Sequence, residues 1–135
     1  MERLAYLLDT NAVADYLNGV VTVTSRLEQA IENRSLVYLS QPVHFEVVRG
    51  LAKANATRKM DIFTAEFAPK LSWVALIDED WQTAANFWVQ TTRIGKQLSD
   101  IDYLIAALSK RLNAVLVTAD NDFDALPIKR ENWRA

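Results

Sequence analysis

The 135-residue chain has no cysteine, one histidine, three glycines and three prolines. Without cysteine there can be no disulfide, thiol nucleophile, iron–sulfur cluster or cysteine-ligated zinc, and one histidine leaves too few imidazoles for most histidine-rich metal sites. Any metal bound here would be held by oxygen. No apolar run approaches the ~18 residues of a membrane span, and the run from Leu4 to Leu8 is cut by Asp9 too early for a signal peptide. The expectation is a cytoplasmic protein that makes no use of the membrane. Neither sign of charge is in large excess: 15 basic and 17 acidic residues leave a net charge of −2, which does not announce a nucleic-acid partner. A polyanion would have to be held by local charge. Gly19, Gly50 and Gly95 stand alone, so no glycine-rich phosphate loop is present. The one histidine, His44, lies two residues before Glu46 and so points away from it on a helix, and nothing near it resembles a nucleophile elbow.

Half of the residues are apolar and 24% are charged, which describes one globular domain over residues 1–135, with no repeat or linker at which to divide it. A chain of this length buries roughly 70% of the surface its unfolded form exposes, enough for a core without covalent staples. Short apolar runs alternate with helical patterns. Leu4 to Leu8 reads as a buried strand, and Asp9-Thr10-Asn11 can cap a helix through Val13 to Leu17. Ser25 and Glu28 have capping-box spacing ahead of a helix to about Glu32, and Leu36 to Leu39 is a second strand. Pro42 suits the start of a helix with Val43, Val47, Val48 and Leu51 on one face, and a further helix is expected from about Thr57 to Pro69. Trp73 to Leu76 reads as a strand, and Asp78 as the cap of a helix carrying Trp81, Ala84, Ala85 and Trp88. Ser99 opens the clearest helix, with Asp102 three residues on, and Ala114 to Thr118 is the cleanest strand, with a weak last one near Ile128. Strands and helices alternating at this pitch predict an α/β fold on a mostly parallel sheet.

In such sheets ligands gather outside the carboxyl ends of the strands. Asp9 follows the first strand and Asp120 the strand ending at Thr118; Asp100 and Asp102 lie in a first helical turn; Glu46 lies one turn into the helix after Ser40. Each acid taken alone reads equally as a cap or an exposed helix residue. Gathered on one edge, they would repel, and so would share protons or bind a cation. Oxygen-only sites of this kind suit Mg²⁺ or Mn²⁺, and paired ions of that sort are a usual device for phosphodiester hydrolysis.

The residues Leu7-Leu8-Asp9-Thr10-Asn11, Phe45-Glu46-Val47-Val48-Arg49-Gly50, Asp100-Ile101-Asp102-Tyr103-Leu104-Ile105-Ala106-Ala107 and Val117-Thr118-Ala119-Asp120 with Phe123, then Glu131-Asn132-Trp133, occur in this order along essentially the whole chain. Together they resemble the PIN-domain ribonucleases, most closely the VapC-type toxins of VapBC toxin–antitoxin pairs. The resemblance implies a PIN-like three-layer α/β/α fold with a mostly parallel central sheet. It also implies a Mg²⁺- or Mn²⁺-dependent endoribonuclease, using one or two ions, in which water activated by the cation attacks an RNA phosphate. Carried over by position, it makes Asp9, Glu46, Asp102 and Asp120 catalytic and metal-binding, with Asp100 a secondary ligand. Thr10, Asn11 and Thr118 would support the acidic loops, for which plain turn capping is the other reading. A homodimer and a VapB-like antitoxin that covers the groove are implied as partners.

Arg49 and Lys53 share a helix face with Glu46, and Arg93 and Lys96 precede Asp100, so these four are the candidate RNA contacts; Arg58 and Lys59 continue in the same direction. Trp81 and Trp88, seven apart, read as core or as a dimer interface, while Tyr16 and Trp133 could stack on bases or pack inside. A haloacid-dehalogenase-like phosphatase would want a second aspartate where Asn11 stands, and a receiver domain would want a lysine after the late strand. A degenerate, non-catalytic PIN-like module that binds metal or protein is the alternative from another functional class.

Overall fold

A computed structural model describes residues 4–135. The apolar runs pair as five strands, β1 (Ala5–Leu8), β2 (Leu36–Ser40), β3 (Ser72–Val74), β4 (Val115–Val117) and β5 (Arg130–Glu131), in the order β3-β2-β1-β4-β5. All four neighbouring pairs are parallel; in the middle of the sheet Tyr6 faces Val37 on one side and Val115 on the other. The helices are α1 (Thr10–Leu17), α2 (Val21–Glu32), α3 (Gln41–Lys53), α4 (Thr57–Ile62), α5 (Asp78–Arg93) and α6 (Asp100–Arg111). Central strands bury Leu7, Leu8, Leu116 and Val117, and α6 is buried continuously from Tyr103 to Ser109 because it packs on β4, α3 and α5 at once.

This connectivity decides where a site can lie. From β1 the chain winds outward through β2 to β3, then returns to the other side of β1 to place β4 and β5. The carboxyl ends of β1 and β4 therefore flank the topological switch point, the crevice where open parallel sheets bind ligands. Asp9 and Thr118 are the residues that follow those two strands.

Several local readings need correction. Ser25 lies inside α2, which starts at Val21 after a Val20 cap that offers no side-chain hydrogen bond. Asp78 does not cap α5; the cap is Ile77, and Asp80 closes that turn by accepting the Ile77 amide at 2.9 Å. The stretch from Thr57 to Pro69 is not one α-helix. After Ile62 it widens to a π turn over Phe63–Phe67 and ends as a 3₁₀ turn over Ala68–Lys70. Pro69 brings no N–H to continue the ladder, and the Ala68 amide reaches five residues back to Phe63 while Phe63 and Phe67 stay buried. The third strand stops at Val74, and the last one lies just beyond Ile128. His44 has a structural place, with ring centroids 5.6 Å from Phe63 and 5.4 Å from Trp73.

One buried charge holds the α5 end of the molecule. Asp80, 1% exposed, receives Arg111 Nε at 2.8 Å and Nη2 at 3.0 Å, and the same guanidinium donates to the Ala75 carbonyl at 3.1 Å. Arg111→Ala leaves that carboxylate buried without a counter-charge and should destabilise the protein by about 3 kcal/mol, read as a lower urea midpoint. Asp80→Asn in the Arg111→Ala background should recover much of the loss, because an amide oxygen can still accept the Ile77 N–H.

Candidate functional site

β1 ends at Leu8 because Asp9 turns the chain into α1. Asp9 is the N-cap (φ −80°, ψ 173°), its Oδ1 accepting the Ala12 amide at 2.7 Å. Its own amide donates to the Val117 carbonyl at 3.1 Å, so it is pinned between β4 and α1 at the switch point. The side chain is only 5% exposed. Burial raises its carboxyl to about 6; the Thr118 hydroxyl and the Ala12 amide offset part of this, and the charges of Asp102 and Asp15 add to it.

Asp102 is the third residue of α6 and completes a capping box. Ser99 Oγ accepts the Asp102 amide at 3.1 Å, and Asp102 Oδ2 accepts the Ser99 amide at 3.3 Å. Burial again raises the carboxyl, Ser99 offsets this, and Glu46 and Asp120 push it further up. Four acids from the ends of β1, β4 and two helices thus act on one another's charge.

Glu46 stands one turn into α3, which Ser40 caps by accepting the Val43 amide at 3.4 Å. Its Oε1 accepts the Thr10 hydroxyl at 2.5 Å and its Oε2 takes Arg49 Nη2 at 3.2 Å. Thr10 thereby links the β1 edge to α3. Thr118 is buried and its Oγ1 accepts the Asp120 amide at 3.1 Å, while Asp120 Oδ1 accepts the Asp122 amide at 2.9 Å. Both threonines therefore serve the acidic loops, and Asn11 is exposed in the first turn of α1.

Among the described residues, no three histidine, cysteine or acidic side chains stand close enough to enclose a metal ion. Each acid is held by its own cap, hydroxyl or arginine. The donor chemistry nonetheless fits a hard divalent cation, because the set is oxygen only and carries excess negative charge that already raises Asp9 and Asp102. Asp100 is exposed and lines a groove between α5 and α6 with Trp81 and Trp88. Lys53, Arg93 and Lys96 are exposed, and Lys59 Nζ donates to Asn18 Oδ1 at 2.6 Å. Of the two aromatics that could have met bases, Trp133 is 2% exposed and edge-on to Tyr6 at 5.2 Å, and Tyr16 packs on Phe67 at 4.6 Å.

Two arginines that support these loops escaped the sequence reading. Arg130 on β5 donates to Asp124 Oδ1 and Oδ2 at 2.6 and 3.0 Å, to Asn121 Oδ1 at 2.6 Å and to the Thr118 carbonyl at 3.3 Å. A single guanidinium thus grips the chain on both sides of Asp120. Arg134 pairs with Asp15 of α1 through contacts of 2.6 and 3.0 Å. No local spacing marks either one, since their partners lie 6 to 119 residues away.

A parallel sheet flanked by helices, with mutually charged acids at its switch point, defines a three-layer α/β domain with an acidic edge. The family profile described as the PIN domain matches residues 6–129, and the chain belongs to that family. Ribonuclease VapC19 of Mycobacterium tuberculosis is 24% identical over 114 residues, covering 84% of this chain and 87% of the relative. Among solved structures, VapBC2 from Rickettsia felis bound to a promoter DNA fragment superposes with a TM-score of 0.82 at 24% identity, covering 96% of this chain and 99% of that one. DNA-bound VapBC from Salmonella typhimurium gives 0.84 at 20% identity, covering 96% and 98%. These structures share the fold, a five-stranded parallel sheet flanked by helices.

The raised Asp9 carboxyl fixes a pH dependence. A carboxyl that moves from 3.8 to about 6 on folding is held more tightly in its protonated form by the folded state. Its contribution to stability is whole below about pH 4 and is lost as pH rises through about 6. Asp9→Asn should therefore stabilise the metal-free protein above pH 7 by up to about 3 kcal/mol. Thermal melts of the two proteins should converge near pH 4.

Proposed function

We propose that this chain is a divalent-metal-dependent ribonuclease and the toxin of a toxin–antitoxin pair. The observation that carries the proposal is the electrostatic coupling around the switch point, where burial together with the charges of Asp102 on Asp9, and of Glu46 and Asp120 on Asp102, raises two carboxyls, although the described side chains as they stand do not yet close into a metal cage. The likeness to the Mycobacterium relative, a ribonuclease, supports the same chemistry. In this reading those four carboxylates hold the ion, and Asp100 is an outer, secondary acid. Mg²⁺ or Mn²⁺, as one or two ions, would supply activation of water and neutralisation of the charge that develops on the scissile phosphate.

The chain's own residues do the rest. Thr10 holds Glu46 in place across the α1–α3 gap, Thr118 shapes the turn after β4, and Asn11 stands exposed in the first turn of α1 beside Asp9 and Thr10. Arg49, paired with Glu46 at 3.2 Å and 57% exposed, is placed to exchange that carboxylate for an RNA phosphate once a cation claims the acid. Lys53 extends the same helix toward the next phosphate. Arg93 and Lys96, exposed ahead of Asp100, are further candidate phosphate contacts in this reading. The solved relatives are VapBC complexes, and an antitoxin partner is proposed by that likeness. A cavity of about 250 Å³ between α1 and α3, walled in part by Thr10, Leu17, Glu46 and Leu51, offers it a seat beside the acids.

One observation favours a second reading, a catalytically silent domain: the Arg49–Glu46 ion pair already occupies one acid. Cleavage of a mixed RNA pool by purified, partner-free protein separates the two. With Mn²⁺ or Mg²⁺ the wild type should cut, and EDTA should stop it. Asp9→Asn and Asp102→Asn should each lose more than about 100-fold, since even outer-shell partners of metal ligands cost 10–100-fold, while circular dichroism stays unchanged. Full cleavage by a folded Asp9→Asn variant, or cleavage undiminished by EDTA, would sink the site assignment. Metal binding without cleavage of any RNA offered would transfer the weight to the silent domain.

A further inference from the structure

Four aromatic side chains are exposed among the described residues: Phe45, Trp73, Trp81 and Trp88. Trp81 and Trp88 line the α5–α6 groove, and Trp73 lies on the edge strand β3 against His44. Phe45 is the one that adjoins the acids. It precedes Glu46 on α3 and is 53% exposed. The apolar cavity between α1 and α3 is walled by Glu46, Val47, Gly50 and Leu51, on the other flank of the helix, so the Phe45 ring looks away from it.

Arg49 ties that ring to the site. Its Cζ lies 4.8 Å from the centroid of Phe45 and its Nη2 3.2 Å from Glu46 Oε2, so a single guanidinium spans from the ring face to the carboxylate. Both contacts are solvent-exposed and individually weak, and neither opposes exchange for a better partner. A planar, delocalised cation on the face of an open ring occupies the place that a nucleobase takes when it stacks on an aromatic side chain. When a phosphate draws Arg49 away, that face is uncovered. Lys53 follows Arg49 by four residues as Arg49 follows Phe45. Each such step climbs α3 by ~6 Å, a length that one nucleotide of an unstacked strand spans. A ring for a base and two cations for phosphates are the parts of a single-strand track. The exposed helical neighbours of the ring, Gln41 and Arg49, suit a base with polar edges better than an apolar side chain of a protein.

We propose that Phe45 is a base-stacking subsite of the acidic edge, on which one unpaired nucleobase of an RNA strand lies while Arg49 turns to the adjoining phosphate. The choice of RNA rests on the ribonuclease reading, so binding and cleavage are measured apart. Binding of a fluorescently labelled single-stranded RNA of mixed sequence is read by anisotropy with Mg²⁺ present, in the Asp9→Asn background so that the strand survives. Adding Phe45→Ala should weaken binding at least about 5-fold, Phe45→Trp should keep it, and Phe45→Leu should not. A ribose–phosphate strand without bases should be indifferent to Phe45→Ala, whereas Arg49→Ala should weaken binding of both strands. Circular dichroism should be the same for every variant, because the ring is exposed. With Asp9 restored, the Phe45→Ala loss should fall on KM rather than kcat in the cleavage assay.

RNA binding that is indifferent to Phe45→Ala, in a protein that cuts RNA, would overturn the subsite and leave the nuclease standing. Phe45-dependent binding of strands that the wild type never cuts would keep the subsite and refute the nuclease. Binding retained by Phe45→Leu as fully as by Phe45→Trp would overturn stacking in favour of a plain apolar contact, the kind a protein partner makes. A background protein that binds no RNA at all would overturn the proposal as well.

Discussion

The hydrogen bond from the Asp9 amide to the Val117 carbonyl is the join on which the site depends. It extends the pairing of β1 with β4 by one residue, past the end of the strand and into the turn, and so sets a carboxylate at the one place where the sheet reverses its winding. Everything acidic nearby follows from that placement. β4 delivers Thr118 and Asp120 beside Asp9, β2 feeds α3 and Glu46 from the other flank, and α6 enters with Asp102 in its first turn.

Like charges gathered this way are costly, and much of the surrounding structure offsets the cost. Three of the acids accept hydrogen bonds from backbone amides at helix or turn starts, the fourth from Thr10 and Arg49. Arg130 grips the Asp120 loop, and Arg134 pairs with Asp15, whose charge still acts on Asp9. Burial still raises Asp9 and Asp102. That remaining unfavourable charge is what a bound cation would neutralise under the proposed function, with a gain in stability.

The far side of the molecule follows another logic. Asp80 and Arg111 anchor the start of α5 by a buried pair, and the Thr91–Tyr103 contact ties its end to α6. Held at both ends, α5 can leave tryptophans in solvent without unravelling. Reading Trp81 and Trp88 as core failed for this reason: their seven-residue spacing identifies a face, and only the position of α6 determines which way the face looks. Trp133, with no periodic partner in the sequence, is instead fully packed against Tyr6 and pairs its indole with Glu131.

Alternating apolar runs determined by themselves a parallel α/β fold, and the acids placed directly after strands an acidic edge to its sheet, because strand pattern and capping chemistry act within a few residues. The helix starts at Ser99 and near Pro42 were legible for the same reason, whereas Ser25 and Asp78 had the right chemistry at positions that a neighbouring turn overrode. Tertiary structure alone decided the order of the strands, and so which acids feel one another. It also decided that Thr10 lies on Glu46, that Arg130 and Arg134 serve the acidic edge, and that α5 faces outward. These contacts join residues distant in sequence, and their energies depend on burial and relative orientation, which exist only once the sheet has assembled.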